Sequence, residues 1–324
     1  MPPKQTAPRH LVSDKHQNGA DLGAVRPEGF PGLPKGWVTE WETFPSQDGD
    51  VQLFSVTHHP EQWSSGRILL IVHGIGEHGG RYLHFPHYLS TAVDAVCTLD
   101  LRGHGRSEGL RGHVDRFDQY VEDVALTVKR LDDSLKRRFG RSEIHILGHS
   151  MGGLVVLRTL FNNPELPICS AAVSSPLIGM KVQVPFIKKT VALALSHIWG
   201  RVHFTSEVDP QQLSHDPAVA EAYTSDRLVH RKVTPKMFAE MRKALADTAA
   251  RKTGFKYPLL VLVSMEDKIV DSEKAIDFFK ALEQEDKMLK QLPGFYHEPF
   301  NEIGKELAFE DLKVWIQKHK SSQV

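Results

Sequence analysis

From Arg67 onward, short apolar runs alternate with longer amphipathic stretches, a pattern that restricts this chain to βαβ units and a mainly parallel sheet. The strands are expected at Ile68–Val72, Ala95–Leu99, Ile144–Leu147, Ala171–Ser174, Leu259–Val263 and Met288–Gln291. Near-continuous Ile, Leu and Val runs of this kind suit strands covered on both faces. Helices are expected between them at Arg81–Ala92, Phe117–Arg138, Met151–Phe161, Ser272–Glu283 and Lys305–His319. Ahead of this region, Trp37–Phe44 and Val51–Val56 read as two strands around the turn signal Ser46-Gln47-Asp48-Gly49. Right-handed crossovers gather the C-terminal ends of the parallel strands on one edge, where the sites of α/β proteins lie.

The 324 residues suffice for one large α/β domain with an inserted subdomain. Between the strand ending near Ser175 and the strand starting at Tyr257 lie about 80 residues of helical character with no strand run, too many for a structureless loop. Residues from about 177 to 255 are therefore expected to form a helical cap over that edge of the sheet. Residues 1–34, rich in Pro, Gly and polar groups, lack the apolar core of a secretory signal and are expected to be a flexible tail. Residues 35–324 form the folded domain. No apolar stretch approaches the ~18 residues that suggest a membrane span. The reading is a soluble, cytoplasmic protein that touches membranes at most peripherally, through the cap.

A formal net charge of +0 gives no ground for nucleic acid or an anionic membrane as the main partner. Cys97 and Cys169 sit beside apolar runs and read as two buried thiols of a reducing compartment rather than a disulfide. Neither the cysteines nor the pair His73/His78 has further ligands at metal-site spacing, so no metal or other cofactor is expected. The oligomeric state is not legible in the sequence.

The most specific local signal is Gly148-His149-Ser150-Met151-Gly152-Gly153. It directly follows the strand Ile144–Leu147 and precedes the apolar helix Leu154–Leu160, the strand–turn–helix setting that a Gly-x-Ser-x-Gly nucleophile turn requires. A sharp turn holding Ser150 in a strained conformation leaves no room for side chains at 148 and 152, hence the glycines. The turn lifts the Ser150 hydroxyl off the sheet and leaves the Met151 N–H free to face a developing oxyanion. A second oxyanion donor is expected at Ile75, between Gly74 and Gly76 in the loop after Ile68–Val72. The competing reading, a phosphate-binding glycine loop, lacks both the G-x-G-x-x-G and the P-loop pattern.

A serine hydroxyl needs a base to take its proton and a carboxylate to fix the base's tautomer. The order on such a scaffold is Ser, then Asp or Glu, then His. Of the 18 histidines, His297 lies in a loop after the last strand and before the C-terminal helix, on the expected catalytic edge. Asp267 follows the strand Leu259–Val263 and is the expected acid, with Glu266 and Asp271 as competitors suited to solvation or helix capping. His73, His104, His113 and His145 read as packed or hydrogen-bonded structural groups.

Together these motifs resemble the monoacylglycerol lipase/lysophospholipase family of α/β-hydrolases. The matching segments are His73-Gly74-x-Gly76-Glu77-His78-x-x-Arg81-Tyr82, Asp100-x-Arg102-Gly103-His104-Gly105-x-Ser107-Glu108-Gly109, the Ser150 turn, Asp267-x-Ile269-Val270-Asp271 and Tyr296-His297-Glu298. Leu213-Ser214-x-Asp216-Pro217 and Ala222-Tyr223-x-x-Asp226 of the cap are also similar to this family. The resemblance implies the α/β-hydrolase fold, and hydrolysis of a single-chain lipid ester through an acyl-enzyme. It further implies that Glu77, Arg81, His149 and Tyr223 face the alcohol headgroup. Two features depart from the pattern: Ile75 is bulkier than the small residue often found between the loop glycines, and the N-terminal tail has no counterpart. Within the cap, Val184–Trp199 places Val184, Ile187, Val191, Leu195 and Ile198 on one helical face. Such a wall suits an acyl chain, each CH₂ of which contributes ~0.8 kcal/mol on burial, and packing on the core accounts for it equally well. General carboxylesterase, acyltransferase and non-catalytic binding protein are the alternatives; epoxide hydrolases and haloalkane dehalogenases carry Asp where this turn carries Ser.

Overall fold

The structure, a computed structural model, describes residues 22–181, 201–206 and 208–320. The chain begins with a hairpin of β1 (Trp37–Pro45) and β2 (Gln52–Pro60). There follow β3 (Arg67–Val72), α1 (Phe85–Leu89), β4 (Ala95–Asp100), α2 (Asp118–Phe139), β5 (Glu143–His149), α3 (Met151–Asn162) and β6 (Ser170–Ser174). An insertion carries β7 (Phe204–Thr205), α4 (Pro217–Ser225), β8 (Lys232–Val233) and α5 (Pro235–Ala249). The chain returns through β9 (Leu259–Ser264), α6 (Ser272–Ala281), β10 (Lys287–Leu292) and α7 (Glu306–Lys318).

Eight strands form one sheet in the order β1-β2-β4-β3-β5-β6-β9-β10, parallel from β4 to β10, with β2 antiparallel to both neighbours. Alternation along each central strand explains why its sequence is apolar without a break. Ile68, Leu70 and Val72 of β3 enter the core layer shared with α2 and α3, while Leu69 and Ile71 enter the opposite layer with α1 and α7. Trp315 anchors α7 in that second layer, and its Nε1–H donates to the Ala171 carbonyl at 3.1 Å. From β3 the chain steps first to β4 on one side and then to β5 on the other. The reversal makes a crevice at the carboxyl ends of β3 and β5, where ligands of open α/β sheets bind.

Several details differ from the sequence expectation. The helix expected over Arg81–Ala92 breaks into a 3-10 turn, Gly79–Tyr82, and the short α1. Pro86 in the first turn of α1 starts a helix readily, but it has no N–H to donate to the Tyr82 carbonyl as a continuous helix would require. β2 runs on past Val56 to Pro60 because it pairs with β1 along its whole length and with β4 as far as His58. The insertion does contain strand, the two-residue pieces β7 and β8 paired antiparallel, too short to carry a periodic signal. Residues 22–34, inside the expected tail, are held against the domain, because Phe30 has an apolar cluster in which to bury. Cys97 is buried, which pushes its thiol up to about 12, whereas Cys169 is partly exposed. The apolar face of Val184–Trp199 lies outside the described residues. Among the described residues no helix is long and apolar enough to cross a membrane.

Candidate active site

β5 ends against α3 at Ser150, whose backbone adopts φ 53° and ψ −118°, a strained conformation for a residue with a side chain. Close packing holds it there. A Cβ on Gly148 would run into the Gly152 carbonyl, and one on Gly152 into the carbonyls of Val72 and His73, so α3 can start directly over β3 only with glycine at both. The Ser150 N–H donates to the Ser174 carbonyl at 3.0 Å, and its own carbonyl accepts from Gly153, Leu154 and Leu177. Ser150 caps α3 without using its side chain, so the hydroxyl is not spent on the helix. Met151 is the first helical residue, a position whose N–H has no acceptor within the helix.

The loop after β3 lies directly beside this turn. A Cβ built on Gly74 would be 3.3 Å from Ser150 Cβ and 3.5 Å from His149 Cδ2, which places Ile75, the next residue, at the edge of the site. Two contacts fix the loop. Glu77 Oε1 accepts from the Gly74 N–H at 2.6 Å. His73 donates from Nδ1 to the Gly74 carbonyl at 2.7 Å while its Nε2 accepts from the Leu101 N–H at 3.0 Å, an arrangement that requires the neutral ring. Burial, its largest influence, keeps the His73 pKa low, in agreement.

His297 follows β10 and Asp267 follows β9, and the structure brings them together: Nδ1 of His297 donates to Asp267 Oδ2 at 2.7 Å. Oδ1 of Asp267 accepts from the N–H groups of Ile269 and Val270 at 2.8 and 3.0 Å. Burial pushes the Asp267 carboxyl up, but the His297 charge and hydrogen bond, with the two backbone donors, outweigh it and hold the pKa below the usual range. The competitors are placed otherwise. Glu266 is exposed, and Asp271 caps α6 by accepting from the Lys274 N–H at 3.2 Å. For His297, burial works against the charged form, yet Asp267, followed by Glu298 and Glu77, raises its pKa. The ring of His149, the residue before Ser150, lies 4.9 Å from that of His297. His149 hydrogen-bonds Ser174 Oγ through Nδ1 at 3.0 Å, and burial and the neighbouring His297 lower its pKa to about 4.

Of the four expected headgroup contacts, Glu77 and Arg81 reach the site but are bound to each other and to Glu298. Arg81 Nη1 donates to Glu77 Oε2 at 2.6 Å and to Glu298 Oε1 at 2.7 Å, and Nη2 donates to Glu298 Oε2 at 2.9 Å. Tyr82 Oη donates to Glu77 Oε1 at 3.0 Å. Burial alone would push the Glu77 carboxyl up; Arg81 and the neighbouring histidines instead bring it down to about 2. Tyr223 of α4 stacks with Arg81, whose Cζ is 5.0 Å from the ring centroid, and a Cβ on Gly76 would lie 3.6 Å from Tyr223 Oη.

Sequence reasoning assigned no role to Glu298 or Glu302, which follow His297 in His297-Glu298-Pro299-Phe300-Asn301-Glu302. Glu298 ties this loop to the β3 loop through Arg81. Glu302 ties it to the insertion, accepting from the N–H groups of Tyr296 and His215 and from Ser214 Oγ. The two acidic residues within five positions after the histidine were the only signal available. The insertion also touches the β3 loop directly, with the His230 N–H donating to the Gly76 carbonyl at 2.8 Å.

Residues 64–304 match the Hydrolase_4 family, described as serine aminopeptidase, S33. The monoacylglycerol lipase of Mycolicibacterium smegmatis is 30% identical over 255 residues, 78% of this chain and 88% of that protein. Phospholipase YtpA of Bacillus subtilis is 28% identical over 261 residues, 79% of this chain and 98% of that protein. An uncharacterized abhydrolase domain-containing protein of Dictyostelium discoideum is 30% identical over 253 residues, and the match spans 26% of its length. Among solved structures, the monoacylglycerol lipase of Paleococcus ferrophilus is similar with a TM-score of 0.72 at 27% identity, covering 83% of this chain and 99% of that one. The family description names a peptidase and two of the relatives are lipases; attack by a serine oxygen on an acyl carbonyl serves both. The chain belongs to this family of serine hydrolases and is a carboxylic ester hydrolase of the α/β-hydrolase fold.

Proposed function

We propose that this hydrolase releases a fatty acid from a single-chain lipid ester, a monoacylglycerol or a lysophospholipid, through Ser150, His297 and Asp267. The observation that supports the reading is the buried His297–Asp267 pair, its ring 4.9 Å from that of His149, which immediately precedes a serine held in a strained turn. Asp267 keeps the proton of neutral His297 on Nδ1, which leaves Nε2 as the base. Nε2 takes the Ser150 proton as Oγ adds to the ester carbonyl, and the N–H groups of Ile75 and Met151 receive the oxyanion. Collapse breaks the ester C–O bond, and the proton on Nε2 goes to the departing alcohol. Water, deprotonated by the same nitrogen, then hydrolyses the acyl-enzyme. The names of the relatives support a lipid ester, and the insertion, from about residue 177 to 255, serves in this reading as a cap that shelters the acyl chain. Tyr223 and His149 then flank the alcohol side, while Glu77 and Arg81 shape it through their mutual ion pair.

The Ser150→Ala variant is expected to lose ester turnover and fluorophosphonate labelling while keeping the wild-type melting temperature. Near wild-type hydrolysis of a p-nitrophenyl ester by that variant would refute the assignment. A panel crossing headgroup (glycerol, phosphocholine, methyl) with acyl length tests the substrate class. A preference for short, water-soluble methyl esters would replace the lipase reading by a general carboxylesterase.

A further inference from the structure

Residues 22–34 precede the family-matched stretch, yet they are clipped to structures on both sides of the site. Arg106 Nε donates to the Leu22 carbonyl at 2.9 Å. The Val25 N–H donates to Asp226 Oδ2 at 2.9 Å, and the same oxygen lies 3.0 Å from His78 Nε2. A Cβ on Gly80 would meet Ala24 Cβ at 2.6 Å, so the segment passes tightly over the turn that carries Arg81. Phe30 is 5% exposed and packs with Leu213, Val219 and Tyr223 of the insertion. The His84 ring meets it at 5.1 Å in an edge-on contact, and Lys305 Nζ sits 4.1 Å from its centroid.

The cluster that buries Phe30 also holds Tyr223, the insertion residue that reaches Arg81 and Gly76. Asp226, one turn further along, is the residue clipped by Val25. An apolar plug and a backbone hydrogen bond thus brace the C-terminal half of α4 from outside. None of these contacts involves Ser150, Asp267 or His297. We propose that Phe30 is a positioning residue: acting through Tyr223, the 22–34 strap fixes the face of α4 that meets the β3 loop and thereby sets recognition of the ester's alcohol group. This rests on the lipid-ester reading given above.

The test compares kcat/KM for monooleoylglycerol with that for p-nitrophenyl acetate, which has no glycerol, in full-length variants. Phe30→Ala is expected to lower the ratio of the two roughly tenfold, since small misplacements of a contacting group have effects of this size or larger. Phe30→Tyr should restore most of it. In a Tyr223→Ala background Phe30→Ala should produce no further fall, because residues acting through one another are non-additive. Val25→Pro removes the N–H that meets Asp226, leaves the aromatic cluster in place and should move the ratio in the same direction. An unchanged ratio, an equal loss on both esters, or additive effects of Phe30→Ala and Tyr223→Ala overturns the proposal. A wild-type enzyme that is labelled at Ser150 but inactive on monooleoylglycerol defeats the functional reading and the proposal together. An active wild type with an unchanged ratio in the variants defeats the proposal alone.

Discussion

Asp267 is 0% exposed and its carboxylate accepts from three donors, which leaves it no reason to take up a proton at neutral pH. Its charge raises the His297 pKa above the ordinary imidazole value of ~6.5. In the proposed mechanism the neutral ring is the reactive form, so kcat/KM should fall as pH drops through that raised value and rise above it. In Asp267→Asn the raising charge is gone and burial, which lowers the pKa, remains. The acid limb of the pH profile should then move to lower pH, and kcat should drop by roughly 10⁴, the scale of this change in serine-protease triads. A limb that stays in place or moves up would show that another group sets it. The glycines at 148 and 152 were legible in the sequence because the turn has one geometry. The ion pair of Arg81 with Glu77 and Glu298 was not, since Glu298 is remote in the chain and its contact depends on how two loops fold back.

At the level of elements, the turn between β5 and α3 works because α3 starts in van der Waals contact with β3. Gly152→Ala would place a methyl group against the carbonyls of Val72 and His73, and backbone cannot withdraw as a side-chain tip can. Overpacking of this kind costs about 1–3 kcal/mol or more. The variant should melt several degrees lower and label slowly with a fluorophosphonate; full labelling at an unchanged melting temperature would mean that α3 has more freedom than its packing suggests. The central strands were readable from their unbroken apolar runs, because burial on two faces admits no polar alternation. The short α1 and the β7–β8 ribbon were not, since five and two residues span too few turns or pleats to show a period.

Across the whole molecule, many histidines are buried and neutral. Burial, as the largest influence, lowers the pKa to about 4 in His58, His149 and His230 and to about 3 in His84. The unfolded chain takes up protons on these rings near pH ~6.5, while the folded protein does not until about pH 4 or, at His84, about 3. Unfolding therefore binds more protons below that pH, and stability, complete above it, should be lost progressively as pH falls from about 6.5 toward 4. The raised His297 opposes this to a smaller extent, being one group against several. Depressed carboxylates such as Glu77 and Asp267 add a further loss below the ordinary carboxylate range. Melting temperatures measured between pH 7.5 and 4.5 should decline throughout the lower part of this range; a flat curve would contradict the neutral-histidine arrangement.

The sequence by itself determined the layered sheet, the strained serine turn and the order in which Ser150, Asp267 and His297 follow along the chain. These depend on local rules of burial periodicity, steric room at glycine and strand-to-helix connection, which a linear pattern records. Only the tertiary structure decided that Asp267 rather than Glu266 or Asp271 meets His297, and that Arg81 is neutralised by two carboxylates. The docking of residues 22–34 against Tyr223 was decided there too. Each of these depends on where a side chain from one loop finds a partner from another, and the free energy of such a contact exists only once the sheet has brought the loops to the same edge.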